Sequence, residues 1–277
     1  MSSHDARRRL IQAARYEVVP LKSLNDQIPH LPPGCSVSVT CSPTKGIEPT
    51  LELSARLNGD GHHAVPHIAA RLVEGREHVE KIAARINEHA ITEIFIVGGD
   101  PDPVGPYVDG LSLMRDLLPL CHTVRTVGVP SYPDHHTVIP DPALDEALLA
   151  KQALIGELGL QGFSSTQMCF NVKTIEQWLV RQRERGLVLP IHLGVPGAVE
   201  RTRLISLGTR LGIGSSLRYL RKNSGAILRM FSPASYDPNK LIAPLSRRAD
   251  ELDITALHLF TFNSIESTAA WQRKSLA

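Results

Sequence analysis

The sequence is short of cysteine, aromatic residues and long apolar runs. Its 277 residues include four cysteines, none in a Cys-x-x-Cys pair, so neither a disulfide framework nor a zinc knuckle is predicted. No apolar run approaches the roughly 18 residues of a membrane-spanning helix. The arginines near the start are not followed by an apolar stretch of signal-peptide length. We therefore expect a cytoplasmic protein that is not bound to a membrane.

Charge of one sign is not in excess either. Lys and Arg total 30 against 28 for Asp and Glu, which gives a net charge of +2. Proteins that bind a nucleic-acid backbone present a concentrated basic face, so nucleic acid is not an expected partner. The chain is 42% hydrophobic, enough for a large core.

Several motifs of catalysis are also missing. No GxGxxG follows a predicted strand, which argues against a nucleotide-binding sheet. No HxH strand pair, HExxH helix or GxSxG elbow is present, so we predict no metal site and no serine hydrolase. A metal-dependent barrel hydrolase would need a ligand spacing that the sequence does not show.

What is present is a regular alternation of β-branched runs and amphipathic stretches. This rhythm predicts parallel strands joined by helices. Eight strands are predicted, at residues 16–21, 35–41, 64–69, 93–97, 124–129, 163–169, 190–195 and 254–262. Eight such units in about 250 residues are typical of a single-domain (β/α)8 TIM barrel. A doubly wound sheet is the alternative.

The helices show the matching period. Within residues 76–89, Val79, Ile82, Ala83 and Ile86 recur at three- and four-residue steps and predict one buried face. Residues 142–158 and 174–185 are further predicted helices. Residues 1–13 are predicted as a flexible or helical extension before the first strand.

Glu17 is the first candidate for catalysis, since barrels carry their active sites at the carboxyl ends of the strands. It lies within an apolar strand, where a carboxylate is costly to bury as an anion, so it can carry a proton and act as general acid. Alternatively, it faces outward or pairs with a neighbouring cation.

Asp100 and Gln167 also follow predicted strands. Asp100 comes after Gly98 and Gly99, which allow a ligand close to the backbone, but Gly-Gly-Asp-Pro is equally good turn chemistry. The amide of Gln167 can pair with the edge of a heterocycle or bond to nearby backbone.

After the seventh strand comes a basic segment, which is either a solvated face or a site for an acidic ligand tail: Arg218, Arg221, Lys222 and Arg229.

Six short motifs in order resemble the methylenetetrahydrofolate reductase family over residues 14–264. They are F/Y-E-x-x-P-x-K (Tyr16, Glu17, Pro20 and Lys22), VPH (65–67), GGD (98–100), YPDHH (132–136), STQMCF (165–170) and LFTFN (259–263). The resemblance implies a (β/α)8 barrel that reduces 5,10-methylenetetrahydrofolate to 5-methyltetrahydrofolate. It implies that Glu17 is the general acid, that Asp100 lies near the pterin and that Gln167 hydrogen-bonds it.

The other predicted contacts divide between substrate and cofactor. Phe170 is predicted to bind the substrate, and Arg218, Arg221 and Lys222 its glutamate tail. The predicted cofactor contacts are Thr40, His67, Gly98, Gly99, Tyr132 and His136.

Two departures from the family concern FAD. Gly98 stands where flavin-binding members usually have arginine, and residues 153–160 lack the basic residue of the family's cofactor helix. The diphosphate of FAD needs cationic contacts, so the absence of these two basic residues weakens the case for bound FAD. The sequence therefore predicts direct hydride transfer from NADH or NADPH. NADH is preferred because no arginine pair awaits a 2′-phosphate. A FAD-dependent reductase and a non-catalytic folate- or flavin-binding barrel are the alternatives.

Overall fold

Eight parallel strands close into a barrel. The computed structural model describes residues 2–200, 203–204 and 236–277. The strands are β1 (Arg15–Val18), β2 (Ser36–Val39), β3 (His63–Ala69), β4 (Glu93–Val97), β5 (Thr126–Ser131), β6 (Gln161–Thr166), β7 (Ile191–Pro196) and β8 (Ile254–Phe260). They pair in chain order, and β1 also pairs with β8. The predicted (β/α)8 barrel is confirmed, and closure excludes the doubly wound sheet, which keeps two open edges.

Helices surround the barrel. In the part of the chain that the structure describes, they are α1 (Ser3–Gln12), α2 (Glu48–Gly59), α3 (Arg76–Glu88), α4 (Gly110–Leu117), α5 (Asp141–Glu157), α6 (Val172–Glu184), α7 (Asn239–Leu245) and α8 (Ile265–Leu276). The face of α3 predicted from Val79, Ile82, Ala83 and Ile86 is its buried face. Among these helices, none has the length and apolar character needed to cross a membrane.

The first strand differs from its prediction at both ends. It begins at Arg15, one residue before the predicted start, and it ends at Val18. A strand predicted from apolar residues does not include a charged residue such as Arg15. Arg15 is nevertheless buried, because Glu93 in the barrel interior is its ionic partner. Its neighbour Tyr16 points outward and donates a 2.6 Å hydrogen bond to Gln272 on α8. Since side chains alternate along a strand, Arg15 and Glu17 both point inward.

β6 begins and ends earlier than predicted, at Gln161 and Thr166. The chain leaves the sheet at Gln167, whose side-chain Oε1 accepts a 2.7 Å hydrogen bond from the backbone N–H of Met168. This local bond satisfies a backbone donor that strand pairing no longer satisfies. Residues 167–169 are buried or half-buried, which explains why their apolar pattern resembles a strand.

The amino-terminal end of the barrel interior is ionic. Arg15 donates to Oε1 of Glu93 and to the hydroxyl of Ser36, and the other oxygen of Glu93 is 2.8 Å from Nε2 of His63. Burial alone would raise the pKa of Glu93, but the His63 hydrogen bond and the Arg15 charge bring it below its usual value. The carboxylate is therefore ionised and holds these two groups in place.

The middle of the interior is apolar and tightly filled. Val65, Phe95 and Phe163 form one cluster there, and the guanidinium of Arg15 lies 4.8 Å from the Phe163 ring centre. Gly128 makes room for the two rings, because a Cβ atom at this position would lie 2.3 Å from each. The polar carboxyl-terminal end is thus separated from the ionic amino-terminal end by packed rings.

Candidate functional site

Three polar side chains meet inside the carboxyl-terminal end of the barrel. They are Glu17 on β1, His67 on β3 and His258 on β8, and one potential ligand atom from each lies within 4.8 Å of the others. We call this group the carboxyl-end triad. Glu17 faces the interior, as predicted, but its partner there is a histidine that the sequence analysis did not select.

The closest contact in the triad joins Oε2 of Glu17 and Nε2 of His258, 2.8 Å apart. On its other side, Nδ1 of His258 lies 3.3 Å from the hydroxyl of Ser165 on β6. The backbone oxygen of Glu17 accepts a 2.6 Å hydrogen bond from the hydroxyl of Thr261, which fixes the strand. One proton must lie between Glu17 and His258, because two lone pairs would repel at this distance. The pair can therefore deliver a proton at this end of the barrel.

His67 completes the triad from within a buried layer. Its ring lies 4.6 Å from that of Phe95 and 6.2 Å from that of His258. Burial, followed by electrostatic interactions with His258 and Arg15, lowers the pKa of His67 well below its usual value. No described residue forms a hydrogen bond with its buried Nε2. This neutral imidazole thus presents an unsatisfied nitrogen to the interior.

The GGD motif forms a loop after β4, in which the two glycines are half-buried. Gly99 has a φ of 95°, which favours glycine, and the backbone oxygen of Gly98 accepts a hydrogen bond from the N–H of Arg71. Asp100 is exposed at the rim. Burial raises the pKa of Tyr132 to about 12, and the Asp100 charge contributes to this shift. The charge of Asp100 thus acts on Tyr132, another predicted site residue.

The remaining predicted residues on the described strand ends have mainly local contacts. Gln167 is half-buried, and its amide oxygen bonds to the Met168 N–H, as in the structural alternative. No described residue accepts a hydrogen bond from its amide nitrogen, which leaves that donor for a ligand. His136 uses Nδ1 to accept from two N–H groups of its own loop, and Thr40 follows β2.

Phe170 lies in a small separate apolar cluster. Its ring meets that of Tyr236 edge-on, with centres 5.6 Å apart, and Met168 and Leu204 pack against the same cluster. Phe260, the last residue of β8, joins this cluster to the barrel. The predicted tail-binding residues lie outside the described residues: Arg218, Arg221 and Lys222.

A cleft lies beside the barrel mouth, between β5, α5 and α6. It is lined by Tyr132 and His135, and by Lys151 and Trp178 from the two helices. Lys151 is buried, and burial lowers its pKa although the charge of Asp109 opposes the shift. Lys151 lies on α5 two residues before the segment 153–160, which itself has no basic residue.

A simple signal would have found His258. It is the one titratable residue in the strand segment ITALHLF, and the same criterion had selected Glu17. His192 on β7 is another such residue, and its ring stacks on Phe163 with centres 4.1 Å apart. No motif within a single strand or helix could show the triad, because its members come from three strands.

No family model matches the chain. An uncharacterised protein from Clostridium thermocellum, which binds two copies of 5-methyl-5,6,7,8-tetrahydrofolic acid, has a similar structure. The TM-score is 0.63 at 14% sequence identity, over 94% of this chain and 93% of that chain. What the two share is the barrel. A 2,3-dimethylmalate lyase of the PEP mutase/isocitrate lyase superfamily has a TM-score of 0.50 at 9% identity, over 99% of this chain and 86% of its own.

An oxaloacetate acetylhydrolase has the same TM-score of 0.50 at 9% identity, over 99% of this chain and 84% of that chain. Identities this low establish a common fold and no common chemistry. The folate ligand belongs to the Clostridium protein, and the other two barrels are enzymes with substrates of their own. The function of this chain must therefore be argued from its own side chains.

Proposed function

We propose that this chain reduces 5,10-methylenetetrahydrofolate to 5-methyltetrahydrofolate, with hydride taken directly from NADH or NADPH. The observation that carries the proposal is the 2.8 Å contact between Glu17 and His258 inside the carboxyl-terminal end of the barrel. A proton source at this place is what the opening of the methylene bridge requires. The similar barrel of the Clostridium protein, which binds the product of this reaction, supports the choice of substrate.

In the proposed reaction, the Glu17–His258 pair gives a proton to N10 of the substrate as the bond from N10 to the bridging carbon breaks. The resulting 5-iminium cation is stabilised by a nearby carboxylate, for which Asp100 is the candidate. Hydride then adds to the exocyclic carbon and gives the 5-methyl product. The amide nitrogen of Gln167, which has no acceptor among the described residues, can donate to the pterin.

We propose that the chain does not hold FAD tightly. The FAD diphosphate needs cationic donors, but Gly98 supplies none at the loop where flavin-binding members of the resembled family have arginine. Lys151, the basic residue of α5, is buried and interacts with Asp109. We therefore propose direct transfer from the nicotinamide. A purified protein with a stoichiometric 450 nm flavin band would replace this mechanism with the FAD-dependent alternative.

The reaction is tested with Glu17→Gln, which keeps the size of the side chain and removes its acid. Turnover, followed as NADH absorbance at 340 nm with methylenetetrahydrofolate, should fall about 100-fold or more. Glu52→Gln is the matched control, since Glu52 is exposed on α2, and it should keep the wild-type rate. Equal rates in both variants would reject Glu17 as the acid. Folate binding without any NADH oxidation by the wild type would favour the non-catalytic barrel.

A further inference from the structure

The carboxyl-end triad has a property that the proposed reduction does not use. Two imidazole rings and one carboxylate converge on one point, from strands that are fixed in the barrel wall. The ligand atoms of Glu17, His67 and His258 all lie within 4.8 Å of one another. Proton delivery needs only the pair formed by Glu17 and His258, so the position of His67 needs a separate explanation.

His67 contributes one ligand atom to this point, and one of its nitrogens has no hydrogen-bond partner among the described residues. Its side chain is buried, with 7% of its surface exposed, and no described residue satisfies Nε2. A buried polar atom without a partner costs free energy, so such an atom in a native structure suggests an absent ligand. A neutral imidazole nitrogen is also the commonest protein ligand for transition metals.

His258 is oriented as a metal ligand would be. Ser165 holds Nδ1 at 3.3 Å, and this directs Nε2 towards Glu17. Metal-binding histidines usually have such a hydrogen bond on the second ring nitrogen, which fixes the ring and its tautomer. The side chains of Glu17 and His258 are 14% and 2% exposed, so bulk water does not compete strongly for either one.

The chemistry of the three ligands selects the metal. Mg²⁺ and Ca²⁺ prefer oxygen ligands, whereas two histidines with one glutamate form a typical zinc set that leaves a fourth position open. Tetrahedral ligands about 2.0–2.1 Å from zinc lie about 3.4 Å from each other. The observed contacts run from 2.8 Å to at most 4.8 Å, so small side-chain rotations would bring all three ligands to this spacing.

We propose that Glu17, His67 and His258 form a Zn²⁺ site, in which the metal replaces the proton held between Glu17 and His258. Zinc binding follows from the geometry alone and is independent of the proposed function. One consequence does depend on the proposed function: a zinc-bound Glu17 cannot deliver a proton, so Zn²⁺ should inhibit the reductase.

The test uses the full chain, stripped with EDTA and desalted, and titrated with Zn²⁺ at pH 7.5 against a chromogenic chelator. We expect one zinc ion per chain, bound at least 10-fold more weakly by His67→Ala and by Glu17→Gln. Co²⁺ should give the visible absorption bands of a tetrahedral site in the wild type and lose them in both variants. Circular dichroism shows whether each variant is folded, and Glu17→Gln is the conservative change that keeps the packing.

The control is His62→Ala. Nδ1 of His62 lies 3.5 Å from the thiol of Cys35, so this thiol and imidazole pair could also bind stray zinc. Its removal should leave the affinity unchanged. The proposal is overturned if the wild type binds no stoichiometric zinc, if only His62→Ala loses it, or if His67→Ala and Glu17→Gln bind as tightly as the wild type. Reductase activity is measured separately in EDTA, so zinc binding without activity would refute the proposed function and leave the metal site standing.

Discussion

Two buried histidines should make the stability of the barrel depend on pH well above the range in which carboxylates titrate. His67 and His192 lie inside the barrel, and burial is the main reason that the pKa of each falls well below the usual value of 6.5. The charge of Arg15 lowers both further. In the unfolded chain both imidazoles regain an ordinary pKa, so between the two values the unfolded state binds more protons than the folded state.

The magnitude follows from proton linkage. Well above pH 6.5 both histidines are neutral in either state and contribute little pH dependence. As the pH falls below 6.5, the unfolded state gains protons and the free energy of unfolding decreases. For a histidine that stays neutral when folded, the loss from pH 7.5 to 5.5 is about 1.4 kcal/mol, and thus about 2.7 kcal/mol for the two together. This is a large fraction of the roughly 5–15 kcal/mol that stabilises a typical domain.

The assay is urea unfolding at pH 7.5 and pH 5.5 in EDTA, followed by the fluorescence of the buried Trp178. His67→Asn and His192→Asn each remove one titrating group, so each should reduce the pH-dependent loss by about 1.4 kcal/mol. The comparison of two pH values cancels the packing lost in each variant. His122→Asn, at an exposed position, should behave like the wild type. If both buried variants kept the full wild-type pH dependence, the two histidines would not be neutral in the folded protein.

Three further predictions concern stability and are measured by the same denaturation at pH 7.5. Gly128→Ala should destabilise the barrel by about 1–3 kcal/mol, because its Cβ would overlap Phe95 and Phe163. Gly156→Ala on α5 has open space around its Cβ and should stabilise the protein by about 0.5–1 kcal/mol. Equal effects of the two variants would contradict this packing. Glu93→Gln should cost about 3–5 kcal/mol because it leaves the Arg15 charge buried without a counterion, and a loss below 1 kcal/mol would show that the ion pair is dispensable. Asn171→Ala should cost about 1 kcal/mol, since its side chain accepts from two N–H groups at the start of α6, and no change would refute this capping role.

The alternation of apolar runs and amphipathic helices predicted the barrel, because each strand and helix carries its own period. The buried face of α3 was predicted residue by residue for the same reason. Strand ends were harder to predict, since a charged residue such as Arg15 breaks an apolar pattern and yet belongs to a strand. Gln167 shows the opposite case, in which an apolar pattern continues past the point where local hydrogen bonds end the strand.

The residues of the candidate site also differ in whether the sequence could predict them. Glu17 and Asp100 were selected from the sequence because each occupies an unusual position in or after an apolar strand. His258, the partner of Glu17, was not selected from the sequence. The two residues are 241 residues apart and meet only because β1 pairs with β8. Arg15 and Glu93, 78 residues apart, meet by the same closure of the sheet.

The sequence by itself determined the order of strands and helices, because that order depends on local periodicity. Only the tertiary structure decided which polar residues share the barrel interior. That choice depends on closure, which brings the first and last strands together and buries what would otherwise be an exposed edge. A single carboxylate in an apolar strand thereby became a triad with two histidines, one of which has an unsatisfied nitrogen.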